Sequence, residues 1–351
     1  MRYRLFGKTG LRVSEMALGT GTFGEAWGWG ADRETCQALF DRFVDAGGNL
    51  FDCADGYQNG EAESILGGLI RAERTRFAIS TKYTTATGAR SILETGNSRK
   101  AMMQSIDASL TRLGTDYVDI FWVHFADQLT ATEEIVRGLD DIVRQGKALY
   151  VGFSDFPAWR VSRAATIAEM RGWAPVSALQ IEYSLAERSA ERDLIPMAHA
   201  YGMAVMIFAA LGGGVLTGKY RRGEQGRKEK GGGAIRALPP EREAAILAAI
   251  DTVAGELEAS AAQVALAWVR ARAEATGAAF IPILGARTLA QLEDNLGALA
   301  ITLTAEQLAT LDMASAIPLG FPHELLEQPW LRDLQSGGWW DQLDVPPRTA
   351  L

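Results

Sequence analysis

The sequence predicts an α/β protein folded as a closed eight-stranded (β/α)8 TIM barrel, and three observations predict it. Eight short apolar runs alternate with stretches of helical spacing along 351 residues. Runs such as YVDIFWV and FIPIL are continuous rather than alternating, as expected of parallel strands covered on both faces. Such a barrel takes roughly 250 residues, which leaves a surplus for additions. An open doubly wound sheet shares the alternation. The count of eight, and the lack of a dinucleotide fingerprint in its proper context, favour the closed form.

The opening YRLFGKTGLRVS sets Gly-Lys-Thr-Gly between apolar flanks and predicts a hairpin cap over 1–14. The strand-like runs are Glu15–Leu18, Asn49–Phe51, Phe77–Thr81, Tyr117–Val123, Ala148–Phe153, Val176–Ile181, Ala204–Phe208 and Phe280–Ile283. Between them, Cys36, Leu39, Phe40, Phe43 and Val44 share one helix face. Met102, Met103, Ile106, Leu110 and Leu113 share another, and Ile135, Val136, Leu139, Ile142 and Val143 a third. Ser260 with Gln263, and Thr304 with Gln307, read as capping-box helix starts. The whole chain reads as one domain, with the barrel over 15–300 and a C-terminal helix and tail over 301–351 lying over the barrel mouth. The surplus falls in a loop from Ala209 to Pro240, a helix near Glu241–Leu257 and the tail after Ile317.

Composition narrows the function. Hydrophobic residues make up 48%, enough for a large core, and a net charge of −8 argues against a nucleic-acid or anionic-membrane surface. Two cysteines, Cys36 and Cys53, fit a reducing compartment without a disulfide framework. With three His beside them there is no Cys/His metal cluster. The start MRYRLFGKTG has no apolar signal region, and the longest apolar stretch, Gly202–Leu216, is Gly-rich and shorter than the roughly 18 residues of a membrane span. The expectation is a cytoplasmic protein acting on a small molecule. Two motif matches fail on context. Gly19–Gly24, GTGTFG, has the G-x-G-x-x-G spacing, but helical spacing begins only near Arg33, so it reads as a loop at the barrel mouth. Gly213–Lys219 is close to a phosphate-binding loop, but Tyr220 stands where a Ser or Thr would hold magnesium.

In such a barrel the C-terminal strand ends open on one face, where catalytic residues gather. Asp52, Lys82 and His124 end or follow the second, third and fourth runs, and Tyr57 lies five residues past Asp52. Ser154, Asp155, Gln180 and Phe208 follow around the same rim. A free tyrosine has a pKa near ~10, and a nearby ammonium lowers it by favouring the phenolate. A buried lysine keeps its charge if a carboxylate holds it, and a histidine can donate to a carbonyl oxygen. Asp52, Tyr57, Lys82 and His124 thus make a device that delivers a proton to an oxygen, and a reductase built on it needs a nicotinamide.

These four residues resemble the catalytic tetrad of the aldo-keto reductases: the family's Asp-x4-Tyr falls on Asp52 and Tyr57, its Lys on Lys82, its His on His124. GKTGLRVS, LDDIVRQGKALYVGFSD, QIEYSLAER, LGGGVLTGKY and IPILGARTLAQLEDNLGAL are similar to family signatures in order along nearly the whole chain, and GFPHELL resembles the aryl-alcohol-dehydrogenase-like branch. The resemblance implies an α/β barrel that binds extended NADP(H) and reversibly reduces aldehydes or ketones. It implies that Ser154, Asp155 and Gln180 meet the carboxamide and that Phe208 stacks on the nicotinamide, with Thr20, Gly21, Asp52 and Ala209 around them. It implies that Leu211, Gly213, Leu216 and Lys219 follow the pyrophosphate. Gly285, Arg287, Gln291, Asp294 and Asn295 then take the adenosine end, with Arg287 ahead of a helix start suited to a 2′-phosphate. Trp29, Tyr57, His124 and Phe125 are expected to face substrate, with Trp27 and the tail pair Trp339–Trp340 as further wall candidates. Many members have Asn at Asp155, Tyr or Trp at Phe208, Ser-Pro at Ala209-Ala210 and, in some branches, Lys at Gly285. Two alternatives share the residues: a redox-sensing regulatory subunit with slow turnover, and physiological oxidation of an alcohol or sugar hydroxyl.

Other polar residues have plainer readings. His199 suits a helix end, His323 the tail, Asp127 a loop or helix entry, and Cys53 packing. RRGEQGRKEKGGG, Arg221–Gly233, reads as a solvated loop, with closure over cofactor phosphates as the functional version.

Overall fold

The structure, a computed structural model, describes residues 1–85, 88–224, 238–276 and 280–344. Strands β1 (Tyr3–Leu5) and β2 (Arg12–Ser14) pair antiparallel as the expected hairpin. Eight parallel strands then close a barrel: β3 (Ala17–Gly19), β4 (Leu50–Asp52), β5 (Ala78–Tyr83), β6 (Val118–Val123), β7 (Ala148–Ser154), β8 (Val176–Glu182), β9 (Ala204–Phe208) and β10 (Phe280–Gly285), with β10 returning to β3. Each coincides with one of the apolar runs. Helices α1 (Arg33–Asp45), α2 (Glu61–Ile70), α3 (Arg99–Leu113), α4 (Thr132–Arg144), α5 (Ala158–Arg171) and α6 (Leu194–Ala200) fill successive crossovers. The apolar faces read from spacing are the buried ones; α1, for example, buries Cys36, Leu39, Phe40 and Phe43.

Because side chains alternate along a strand, each strand feeds two cores. Leu18, Phe51, Ile79, Phe121, Val151, Phe153, Leu179, Val205 and Ile207 point outward and pack with the helices in the larger apolar cluster. Ala17, Leu50, Ala78, Ile120, Trp122, Ala178, Ala204, Met206 and Ile281 fill the barrel interior. Phe6 and Val13 of the hairpin join that inner cluster and close the barrel's N-terminal end. Gly152 makes room for Trp122: a Cβ there would collide with the indole and lie 2.7 Å from the Ala178 carbonyl.

The added helix lies where expected. A helix spans Pro240–Leu257, another Ala261–Thr276, and Ser260 and Gln263 exchange both capping-box bonds. Thr304 and Gln307 form a complete capping box for Ala305–Ser315. That helix is tied to the barrel by Arg188, which bonds Asp312 and the Ser315 hydroxyl, and by the Trp268 indole, which donates to Asp312. The tail then passes the rim, where Arg192 donates to the Pro318 carbonyl and His323 lies 3.7 Å from Asp193. Beyond it, Trp330, Leu334 and Trp339 are exposed. Most of the low-complexity run, from position 225, lies outside the described residues. Among the described residues no helix is long and apolar enough to cross a membrane, and no group of three or more His, Cys, Asp or Glu could hold a metal.

Candidate active site

The inner parity that carries Leu50, Ala78, Trp122, Gly152 and Ala178 deeper in the barrel brings Asp52, Ser80, Lys82, His124, Ser154 and Gln180 to its C-terminal end. The pore is apolar below and polar at the rim. Register sets neighbours: Asp52 stands opposite Ser80 and Ser154 opposite Gln180.

The four residues singled out in the sequence converge. Lys82 Nζ is fully buried and donates to Asp52 Oδ2 at 2.6 Å, to the Cys53 carbonyl at 2.7 Å and to Tyr57 Oη at 3.1 Å. The three donors of an ammonium are thereby used. Asp52 takes two further bonds: its Oδ1 accepts from the Ser80 hydroxyl at 2.7 Å and from Gln180 Nε2 at 2.9 Å. Asp52 is acceptor-only, which fixes the Gln180 amide orientation and leaves its oxygen available. His124 follows the strand end, its ring 6.0 Å from that of Tyr57 in an edge-on arrangement. Its Nδ1 is buried without a hydrogen-bond partner among the described residues.

Burial opposes the Lys82 charge, but the Asp52 carboxylate and Tyr57 outweigh it and hold its pKa above the ordinary lysine value. The ammonium is permanent over any working pH. Burial also pushes the Tyr57 phenol up, and the neighbouring Lys82 only partly offsets this. This corrects the sequence expectation of a lowered phenol: in this site desolvation beats the ammonium, and Tyr57 is a protonated donor near neutrality. Burial, helped by Lys82, drives His124 well below the usual imidazole range. A neutral imidazole still carries one N–H donor.

Around this centre, the β3 loop covers Tyr57: a Cβ on Gly21 would touch its ring at 3.7 Å. Thr20 is buried and gives both its N–H and its hydroxyl to the Asp52 carbonyl, so its side chain braces the β4 end. Aromatic rings stand over the mouth. Trp27 lies 5.7 Å from Trp29 and 6.4 Å from Tyr57, and Phe125 stacks on His124 at 4.1 Å. Trp27 thus flanks Tyr57, with Trp29 next to it in the same loop. Gln58 donates to the Gly21 and Trp29 carbonyls and holds this loop down.

The predicted cofactor residues take three stations on the same rim. Buried Ser154 donates to exposed Asp155, whose backbone is left-handed at φ 51°. Half-buried Phe208 ends β9, and Ala209 after it has φ 51°. Next come the tight turns of Gly212–Thr217, with Leu211 before them and Gly213 within. Lys219 folds back over Gly214, where a Cβ would meet Nζ at 2.7 Å, while Leu216 is buried in the larger core. At the third station Thr288 caps the helix Leu289–Gly297, and the Arg287 N–H donates to Gln291. Asp294 accepts from Gln263, and Asn295 donates to the exposed Gly285's carbonyl.

Asp127 caps the loop: against a burial penalty, the Thr130 hydroxyl and the Thr130, Asn97 and Leu129 N–H groups hold it down at about 2. Cys53 is fully buried. Sequence reasoning passed over Ser80, Asp55 and Asn97. Ser80 carried a usable signal, since it lies two residues before Lys82 on the same strand face. Asn97 carried none: it sits in an irregular segment yet links Thr84 to the Phe125 carbonyl.

A closed barrel with a buried ammonium–phenol pair at its C-terminal mouth defines a rim-site α/β-barrel enzyme. Residues 15–316 match the model of the aldo/keto reductase family, and the chain belongs to that family of oxidoreductases. It is 35% identical over 339 residues to an aryl-alcohol dehydrogenase of Pestalotiopsis microspora, covering 93% of this chain and 85% of that one. It is 34% identical over 332 residues to a norsolorinic acid reductase of Aspergillus flavus, covering 92% and 83%.

Proposed function

We propose that the protein is an NADP(H)-dependent oxidoreductase that reversibly reduces aldehydes or ketones to alcohols, with Tyr57 as the proton donor. One observation carries the reading: Lys82 Nζ joins Asp52 Oδ2 at 2.6 Å to Tyr57 Oη at 3.1 Å inside a buried site. A protonated phenol gives its proton to the carbonyl oxygen. The phenolate left behind faces an ammonium that Asp52 keeps charged. The transition state therefore gains an interaction weaker in the ground state, which is how such a pair accelerates a reaction. His124, neutral and beside Tyr57, orients the same oxygen through its N–H.

A bound nicotinamide would supply the hydride for the carbonyl carbon. The residues present fit such a group. The Gln180 amide oxygen, Ser154 and Asp155 are hydrogen-bonding partners for a carboxamide, and Phe208 offers a face for the ring. Gly212, Gly213 and Gly214, with φ of 56°, 64° and 96°, put a turn without Cβ atoms beside the Lys219 ammonium, which suits a pyrophosphate. Arg287 at a helix N-terminus suits the 2′-phosphate and supports NADP(H). The Trp27, Trp29 and Phe125 rings favour a flat, apolar carbonyl compound, in keeping with a relative named for aryl alcohols.

The test is direct. NADPH should quench tryptophan fluorescence saturably, and aromatic aldehydes should consume NADPH absorbance faster than short aliphatic ones. Absence of saturable binding at micromolar cofactor would contradict the proposal.

A further inference from the structure

Asp55 lies between Asp52 and Tyr57 in the sequence, and the chemistry above does not use it. It is buried, and its carboxylate accepts from the Thr85 hydroxyl at 2.7 Å and the Ser105 hydroxyl at 2.9 Å. Its own N–H donates to the Lys82 carbonyl at 3.1 Å. Thr85 follows β5, the strand that bears Lys82, and Ser105 is on α3. One residue thus fastens the loop that carries Tyr57 to the loop beyond Lys82 and to a helix behind both. The β5 loop it grips is strained: Thr84, a β-branched residue, has φ 124°. Asn97 holds the other side of that loop through the Thr84 hydroxyl and the Phe125 carbonyl.

We infer that Asp55 is a positioning residue: its carboxylate bridges the Tyr57 and Lys82 loops and so keeps the phenol in register with the ammonium. The inference rests on Tyr57 being the proton donor. As a carboxylate Asp55 accepts from both hydroxyls; protonated, it becomes a donor through one oxygen, and the hydroxyl on that side turns to accept. The bridge is therefore sensitive to pH. Burial pushes Asp55 up to about 6 even against the pull of Thr85 and Ser105; Glu63 on α2 adds to the rise and Arg112 on α3 opposes it.

The test uses the full chain and two readouts. The first is turnover. Asp55→Ala should lower kcat about tenfold while the NADPH dissociation constant stays within about twofold. Asp55→Asn, which like the protonated carboxyl accepts from one hydroxyl and donates to the other, should hold kcat at the parent's acid-side value across the range and lack the step expected of the parent through about pH 6. The second readout needs no turnover: a ring-fluorinated tyrosine placed at Tyr57 and followed by fluorine NMR. Its signal should titrate with a midpoint of about pH 6 in the parent and lose that step in Asp55→Asn. A signal that ignores that pH, or moves alike in both proteins, overturns the inference, as does an Asp55→Ala protein that folds and turns over at the parent rate. A parent that reduces no carbonyl at any pH would instead contradict the proposed function, and the fluorine signal would still judge the bridge.

Discussion

At the scale of residues, Asp52 is the hinge of the site. It takes bonds from Lys82, Ser80 and Gln180, three side chains of which two are neutral and one charged. Breaking a buried ion pair from one side leaves an uncompensated charge, which costs about 3–5 kcal/mol. Lys82→Met should therefore destabilise the fold by about that amount in urea, and adding Asp52→Asn should recover part of it. The recovery in the double variant separates lost pairing from lost packing. Two buried titratable groups should also tilt stability against pH in opposite senses. Asp55 has a folded value of about 6 against 3.8 for the free group, so the folded state takes up its proton first as pH falls. Its penalty is full above about 6 and gone below 3.8. Asp55→Asn should thus gain on the order of 1–2 kcal/mol at neutral pH, a gain that fades on acidification. His124 works the other way: its folded value is lowered, the unfolded chain protonates first, and stability is lost as pH falls below about 6.5. Urea midpoints of Asp55→Asn and of His124→Asn against the parent, taken across that range, measure both slopes.

At the scale of elements, the strand is the unit that makes the site. Alternation sends Leu50 and Asp52, Ala78 and Lys82, Trp122 and His124 into the same pore, apolar first and polar last. The large Trp122 is accommodated only because Gly152 faces it. Gly152→Ala would set a methyl against the indole and the Ala178 carbonyl, 2.7 Å away, so a cost of about 1–3 kcal/mol is expected. The rim above Trp122 would shift with it, and kcat should fall along with the thermal midpoint. A larger drop in stability than in activity would mean the strain relaxes downward, toward the hairpin. Farther from the site, Thr304→Ala removes a complete capping box and should cost about 1 kcal/mol without touching kcat.

At the scale of the molecule, the barrel was legible because its signal is repeated. Eight apolar runs, three amphipathic stripes and two capping boxes all point to one architecture, and consistency across levels is what specifies a fold. The four converging residues were legible because a barrel gathers strand ends by geometry. What escaped was of two kinds. The sign of the Tyr57 shift depends on how far the site is desolvated, which no residue pattern states. The bracing roles of Asp55 and Asn97 depend on loop paths, and Asn97 has no periodic neighbour to betray it. Trp27 stands beside Tyr57 because the β3 loop turns there under the grip of Gln58. The central claim is that the Tyr57 proton goes to the substrate oxygen. It is tested most directly by Tyr57→Phe under single turnover with NADPH already bound. The account predicts a fall of at least about 100-fold in the chemical step with the cofactor dissociation constant unchanged; reduction at the parent rate would contradict it.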